Sequence, residues 1–222
     1  MHQRARYLFE VGMLNRTPRS GFQFLGSGGQ SVAEHTHRML HIAIVLAQMS
    51  AEHVDERQLL RLVLFHDLPE ARTGDQNYVN RRYVHEDLER LLDDGARVWP
   101  EGETIAANVR EFEAAETREA RIAKDADQIE LVLMLKEQKD LGNSSADDWI
   151  DAAVQRLNTD MGKKLAAEIL ETKWDEWWYH DKNDRHWVEG KKHRDAGARA
   201  QGSKRAQQKP MREGAKTRGS KR

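Results

Sequence analysis

Apolar residues recur at three- and four-residue spacing through most of the first 180 positions, and sustained apolar/polar alternation is absent, so the pattern predicts helices throughout. Leu8, Val11 and Leu14 share one side of a first helix over Ala5–Leu14, which Pro18 and Gly21 terminate. Phe22 to Gln30 reads as a loop, with Gly26, Gly28 and Gly29; it lacks the Gly-Lys-Ser/Thr ending and preceding strand of a phosphate loop. Ser31 and Glu34 form a capping box that opens a helix to about Met49, with Ala33, Leu40, Ile44 and Ala47 among its inward candidates. Asp55 caps the next helix, where Leu59, Leu60, Val63 and Leu64 lead into His66-Asp67 before Pro69 and Gly74 turn the chain. Further helices are expected over Arg81–Asp94, Ile105–Phe112, Ala115–Asp140, Asp147–Leu157 and Met161 to about Tyr179. The fold class is therefore all-α, with seven or more helices around a shared core. Trp174, Trp177 and Trp178 suit a closing helix better than a stacking platform.

Charge changes this picture at the C-terminal end. Residues 191–222 hold twelve Lys/Arg against Asp195 and Glu213, whereas residues 1–190 hold 24 Lys/Arg and 35 Asp/Glu. The formal net charge of −1 is thus a cancellation between an acidic body and a basic tail. A folded domain over 1–185 and a basic, disordered tail over 186–222 are expected. The stretch 191–222 can make weak, salt-dependent contact with nucleic acid, but it has no aromatic side chain for base stacking. With no cysteine, disulfides and thiolate metal sites are excluded. No apolar run reaches the ~18–20 residues of a membrane span, and no signal-peptide core follows Met1-His2-Gln3-Arg4, so a cytoplasmic protein is expected.

Among ten histidines, the informative set is His35 on the capped helix, the adjacent His66-Asp67, and the acidic Asp125 and Asp127 on a later helix. Imidazole with carboxylate suits one divalent ion of the Zn, Mn, Co or Fe type. Neighbouring side chains on a regular helix diverge by ~100°, so a His-Asp pair works where a helix ends, as Pro69 and Gly74 imply. His37 and His41, four apart, could also chelate zinc, but they lack the Glu beside the first His that a zinc-peptidase helix uses as base.

Four ordered motifs then carry a resemblance: Ser31-Val32-Ala33-Glu34-His35, His66-Asp67-Leu68-Pro69-Glu70 with Gly74-Asp75, Lys124-Asp125-Ala126-Asp127-Gln128, and upstream Arg16-Thr17-Pro18-Arg19-Ser20-Gly21. Together they resemble the HD-domain superfamily, and within it the 5′-deoxynucleotidase branch. The resemblance implies that His35, His66, Asp67 and Asp127 ligate one divalent ion (Mn, Co, Mg, Zn or Fe), with Lys124 marking Asp127 over Asp125, a helix-surface charge. It implies catalytic roles for Glu70 and Asp75 beside the attacking water and substrate, and phosphate binding by Arg16. Lys124 is expected to add a second positive charge at the phosphate or to form an ion pair with Asp125 or Glu130. The implied activity is removal of the 5′-phosphate from (deoxy)nucleoside monophosphates by a metal-activated water, in a homodimer.

The sequence departs from that branch at Thr17, where its bacterial members carry Trp after the phosphate-binding arginine, which leaves sugar selection open. The glycine-rich loop before His35 also differs. A dNTP phosphohydrolase of the same fold is the alternative enzyme, and a regulatory nucleic-acid-binding protein using its basic tail is the alternative from another class.

Overall fold

The computed structural model describes residues 2–179, 181, 183, 184, 187 and 188. Among these the secondary structure is helical, apart from one isolated antiparallel bridge between Pro18 and Ser31. Residues 1–174 form one compact unit and a second begins at Asp175. The basic segment 191–222 lies outside the described residues.

Eleven α-helices occur among the described residues: α1 (Gln3–Val11), α2 (Phe22–Leu25), α3 (Val32–Met49), α4 (Glu56–Phe65), α5 (Glu70–Thr73), α6 (Leu88–Val98), α7 (Gly102–Ala114), α8 (Arg118–Asp140), α9 (Ala146–Gln155), α10 (Asp160–Glu171) and α11 (Glu176–Tyr179). Side-chain caps start several of them. The Ser31–Glu34 box is fully formed at α3, and Asp55, Asp87, Thr117 and Thr159 each accept from a backbone amide three residues on. Each such cap contributes about 1 kcal/mol.

The 23-residue α8 is the axis of the fold, contacting α3, α4, α7, α9 and α10. Its buried Ala120, Ile122, Ala123, Ala126 and Ile129 meet Met39, Ile42, Ala43 and Leu46 of α3 and Leu59, Leu62 and Val63 of α4. Small residues on α8 let these helices approach closely, so polar side chains from α3, the end of α4 and the middle of α8 meet at one place.

Several expectations shift. Leu14 is buried, but Leu8 is 67% exposed, because the chain tightens into a 3₁₀ turn at Gly12–Asn15 and rotates the later residues inward. The inward face of α3 centres on Met39, Ala43 and Leu46, leaving Leu40 and Ala47 at its flank. The predicted helix over Arg81–Asp94 begins only at Leu88, where Asp87 caps it; residues 74–87 form a loop holding one 3₁₀ turn, Asn80–Arg82. The long final helix ends at Glu171, and α11 is a separate turn in which Trp178 and Tyr179 contact each other and Trp187. None of the described helices is long and apolar enough to cross a membrane.

Candidate metal centre and phosphate site

His35 lies one turn into α3, held there by the Ser31 cap, and is fully buried. His66 closes α4, and the backbone then turns through Asp67 and Leu68 to Pro69, the start of α5. That break brings adjacent side chains to one point: His66 Nε2 and Asp67 Oδ2 are 3.0 Å apart. From α8, Asp127 Oδ1 reaches within 3.3 Å of His35 Nε2, which is also 3.7 Å from Asp67 Oδ2. Donor atoms of His35, His66 and Asp127 all lie within 4.8 Å of one another.

The remaining hydrogen bonds orient these donors. His35 Nδ1 is 2.7 Å from Glu130 Oε2, and His66 Nδ1 is 2.8 Å from the Val63 carbonyl. Both contacts place a proton on Nδ1 and leave Nε2 as the atom each ring would offer to a metal. Gln128 Nε2 donates to Asp127 Oδ2 at 2.9 Å, fixing the other oxygen of that carboxylate. Yet His35 Nε2, His66 Nε2, Asp67 Oδ2 and Glu70 Oε2 are buried without a hydrogen-bond partner. Unpaired buried polar atoms are costly, typically ~1–3 kcal/mol each. Two imidazole lone pairs and two carboxylates meeting this way fit a divalent cation.

One cation is already present. Arg19 Nη1 lies 3.6 Å from Asp67 Oδ2 and 3.8 Å from Asp75 Oδ1. Burial disfavours its charge, but Asp67, Asp127 and Asp75 together hold the guanidinium firmly protonated. The Arg19 amide donates to the Gln30 carbonyl, Val32 N–H donates to the Thr17 carbonyl, and Pro18 bridges to Ser31. Asp75 Oδ2 accepts from both the amide and the hydroxyl of Ser20. The arginine loop is therefore anchored to the start of α3 on one side and to Asp75 on the other.

The carboxylates titrate unequally. Burial raises the Asp127 pKa, but the His35 imidazole 3.3 Å away and the charge of Arg19 outweigh this and leave it well below the usual range. Asp67 behaves alike through His66, His35 and Arg19. Glu70 moves the other way: burial and the adjacent Asp67 and Asp75 push it far above the ordinary carboxylate range. His35 is pushed up to about 9, since Asp127 and Glu130 override both burial and Arg19. A divalent ion would replace that proton.

These groups open into a cleft of about 1370 Å³ whose walls include His66, Asp67, Glu70, Asp75, Asp127 and Arg19, with Phe22, Phe24, Tyr78 and Trp149 as aromatic surface. The six acidic and histidine positions read from the sequence (His35, His66, Asp67, Glu70, Asp75 and Asp127) thus come together. Arg16 does not: its side chain is exposed, and Arg19 occupies the place proposed for it. The comparison at Thr17 falls with it, because the residue after the inward arginine is Ser20. Lys124 lines the cleft, but its ion pair is with Glu113 at 3.0 Å rather than Asp125 or Glu130, and its ammonium stands 4.0 Å over the Phe112 ring. Asp125 is no surface charge. It is fully buried, accepting from the amide and side chain of Asn158 and of Thr159, and so ties α8 to the start of α10. His37 and His41 are exposed on α3, away from the core face, with rings 5.0 Å apart. Glu130, read from sequence only as a candidate partner of Lys124, and Gln128, quoted only within a motif, were given no part at the metal; the Asp127-x-x-Glu130 spacing, which sets two carboxylates on one face of α8, is the signal that could have found Glu130.

An all-α body gathers two histidines and two aspartates beside a half-buried arginine, a group that could hold a divalent ion. The HD-domain family model matches residues 11–170, and the chain belongs to that family. It is similar to the 5′-deoxynucleotidase HDDC2 of Bos taurus, 28% identical over 172 residues, covering 74% of this chain and 82% of that protein. The 5′-deoxynucleotidase hdd1 of Schizosaccharomyces pombe is 26% identical over 147 residues, covering 62% and 73%. Among solved structures, a conserved hypothetical protein from Pyrococcus furiosus superposes with a TM-score of 0.66 at 22% identity, covering 76% of this chain and 99% of its own. A predicted metal-dependent phosphohydrolase from Magnetospirillum magnetotacticum gives 0.59 at 22% identity, covering 75% and 89%; these two show the shared fold.

Proposed function

We propose that this protein is a metal-dependent phosphohydrolase that removes the 5′-phosphate from (deoxy)nucleoside monophosphates. The observation that carries the reading is the half-buried Arg19 guanidinium 3.6 Å from Asp67, beside His and Asp donor atoms that have no partner. The 5′-deoxynucleotidase relatives support the substrate class.

His35, His66, Asp67 and Asp127 would hold the ion, which when bound supplies Lewis acidity at a phosphoryl oxygen and lowers the pKa of a water. Arg19 takes the role of phosphate ligand, its fork of donors matching two phosphoryl oxygens. Glu70, at the cleft wall and favouring its protonated form, suits proton transfer to the leaving 5′ oxygen or, once ionised, from the attacking water. Asp75 is held by Ser20 and faces Arg19, so its part is to keep the arginine in place. Lys124 adds positive charge at the wall. Positioning and electrostatics of this kind dominate phosphoryl transfer.

Incubating the purified protein with each dNMP and NMP, and with dATP, under Mn²⁺, Co²⁺, Mg²⁺ and Zn²⁺ tests the reading. Inorganic phosphate from a monophosphate is expected. Tripolyphosphate or pyrophosphate from dATP, with monophosphates untouched, would replace it with a triphosphohydrolase. The homodimer and the contact of 191–222 with nucleic acid belong to the same proposal and are read by sedimentation and by RNA binding of a 1–190 truncation.

A further inference from the structure

Glu130 sits one turn beyond Asp127 on α8 and is 1% exposed. Its carboxylate binds one group in the site, one in the loop beside it, and an arginine of α3. Oε2 accepts from His35 Nδ1 at 2.7 Å. Oε1 accepts from Arg38 Nε at 2.9 Å and Nη2 at 2.7 Å, and from Gln30 Nε2 at 2.7 Å. Gln30 in turn accepts the Arg19 amide on its backbone carbonyl at 2.8 Å, and its side chain lines the cleft.

A single buried carboxylate therefore stands between the innermost histidine and the loop that carries the arginine. Without an acceptor at Nδ1, an imidazole divides between two tautomers and rotates about its χ2 axis. With one, the ring is fixed and Nε2 stays free. Arg38 also reaches Glu137 Oε1, so Glu130's cationic partner is itself pinned to α8.

We propose that Glu130 is a positioning residue that aims His35 at the divalent ion and, through Gln30, sets the Arg19 loop at a fixed distance from it. Resting on the metal and phosphate roles proposed above, this makes ion binding and phosphate binding two readings of one hydrogen-bonded chain. Neither Glu130 nor Gln30 touches the reacting atoms.

The test uses the full chain stripped of metal. Mn²⁺ binding is measured calorimetrically, then inorganic phosphate binding to the Mn²⁺-loaded protein, with circular dichroism reporting the helical fold. Glu130→Gln is expected to weaken Mn²⁺ binding about 10- to 100-fold, as loss of a partner to a metal histidine typically does. Gln30→Ala, at a half-buried loop position, is expected to keep Mn²⁺ affinity within about threefold. Its phosphate affinity should fall at least about fivefold, on the order of the loss of one modest hydrogen bond. A purely structural role would lower the melting temperature while leaving both affinities at the unaltered protein's values, and that result overturns the inference. Should Glu130→Gln not fold, Gln30→Ala decides alone, and unchanged phosphate binding overturns the inference. Unaltered protein that binds no Mn²⁺ overturns the metal centre and this inference together, whereas normal binding in unaltered and variant proteins alike overturns this inference only.

Discussion

Arg19 Nη1 lies 3.6 Å from Asp67 Oδ2, while Arg16, three residues earlier, faces solvent. Charge-assisted hydrogen bonds contribute ~1.5–3 kcal/mol, or roughly 10- to 150-fold at ~1.4 kcal/mol per decade. Arg19→Ala should lower kcat/KM on a nucleoside monophosphate by that factor, mostly through KM. Arg16→Ala should stay within about twofold. Steady-state phosphate release by the two variants checks this, and an effect confined to Arg16→Ala would reverse the assignment.

Glu70 has a buried oxygen without a partner and a pKa raised by burial and by Asp67 and Asp75. Removing a proton-transfer group typically costs ~10²–10⁴ in rate. Glu70→Gln is expected to lose turnover by about that much and to retain Mn²⁺ binding in calorimetry. Loss of binding with turnover would make Glu70 a ligand instead.

In the metal-free protein His35 titrates at about 9, so at pH 7 its imidazole carries a proton that a metal must displace. Metal affinity should therefore rise with pH up to about 9 and weaken by about tenfold per unit below it for each proton released. Titrating Mn²⁺ in buffers of different ionisation enthalpy at pH 7 should report release of at least one proton. Zero release would contradict the assigned environment of His35.

Asp125 is fully buried and accepts from Asn158 and Thr159, and a Cβ on Gly162 would collide with its Oδ2. Truncating it orphans four donors. Asp125→Ala should cost about 3 kcal/mol or more in urea unfolding of the metal-free protein. Asp127→Ala removes a carboxylate that His35 and Arg19 stabilise, so it should also destabilise the metal-free protein, and it should abolish ion binding.

The helices were readable from local signals, and the residues proposed to hold the ion from those signals together with the family resemblance: Ser31 with Glu34 opens α3, Asp55 opens α4, and Pro69 breaks the chain beside His66 and Asp67. The misread positions depend on partners distant in sequence. Arg16 and Arg19 stand on either side of Thr17-Pro18, and contacts with Gln30, Ser31 and Asp75 decide which one turns inward. Asp125 looked solvent-facing because its partners, Asn158 and Thr159, lie 33 and 34 residues later. The helix expected from Arg81 failed because Asp87 starts the regular segment six residues on, leaving the cleft wall as loop.

The measurement that bears most directly on the central claim is phosphate release from dAMP by purified, Mn²⁺-loaded Asp67→Ala beside the unaltered protein. The account predicts metal-dependent release by the unaltered protein and none by the variant, with the same helical circular dichroism spectrum in both. Full activity in the folded, metal-loaded variant would contradict it.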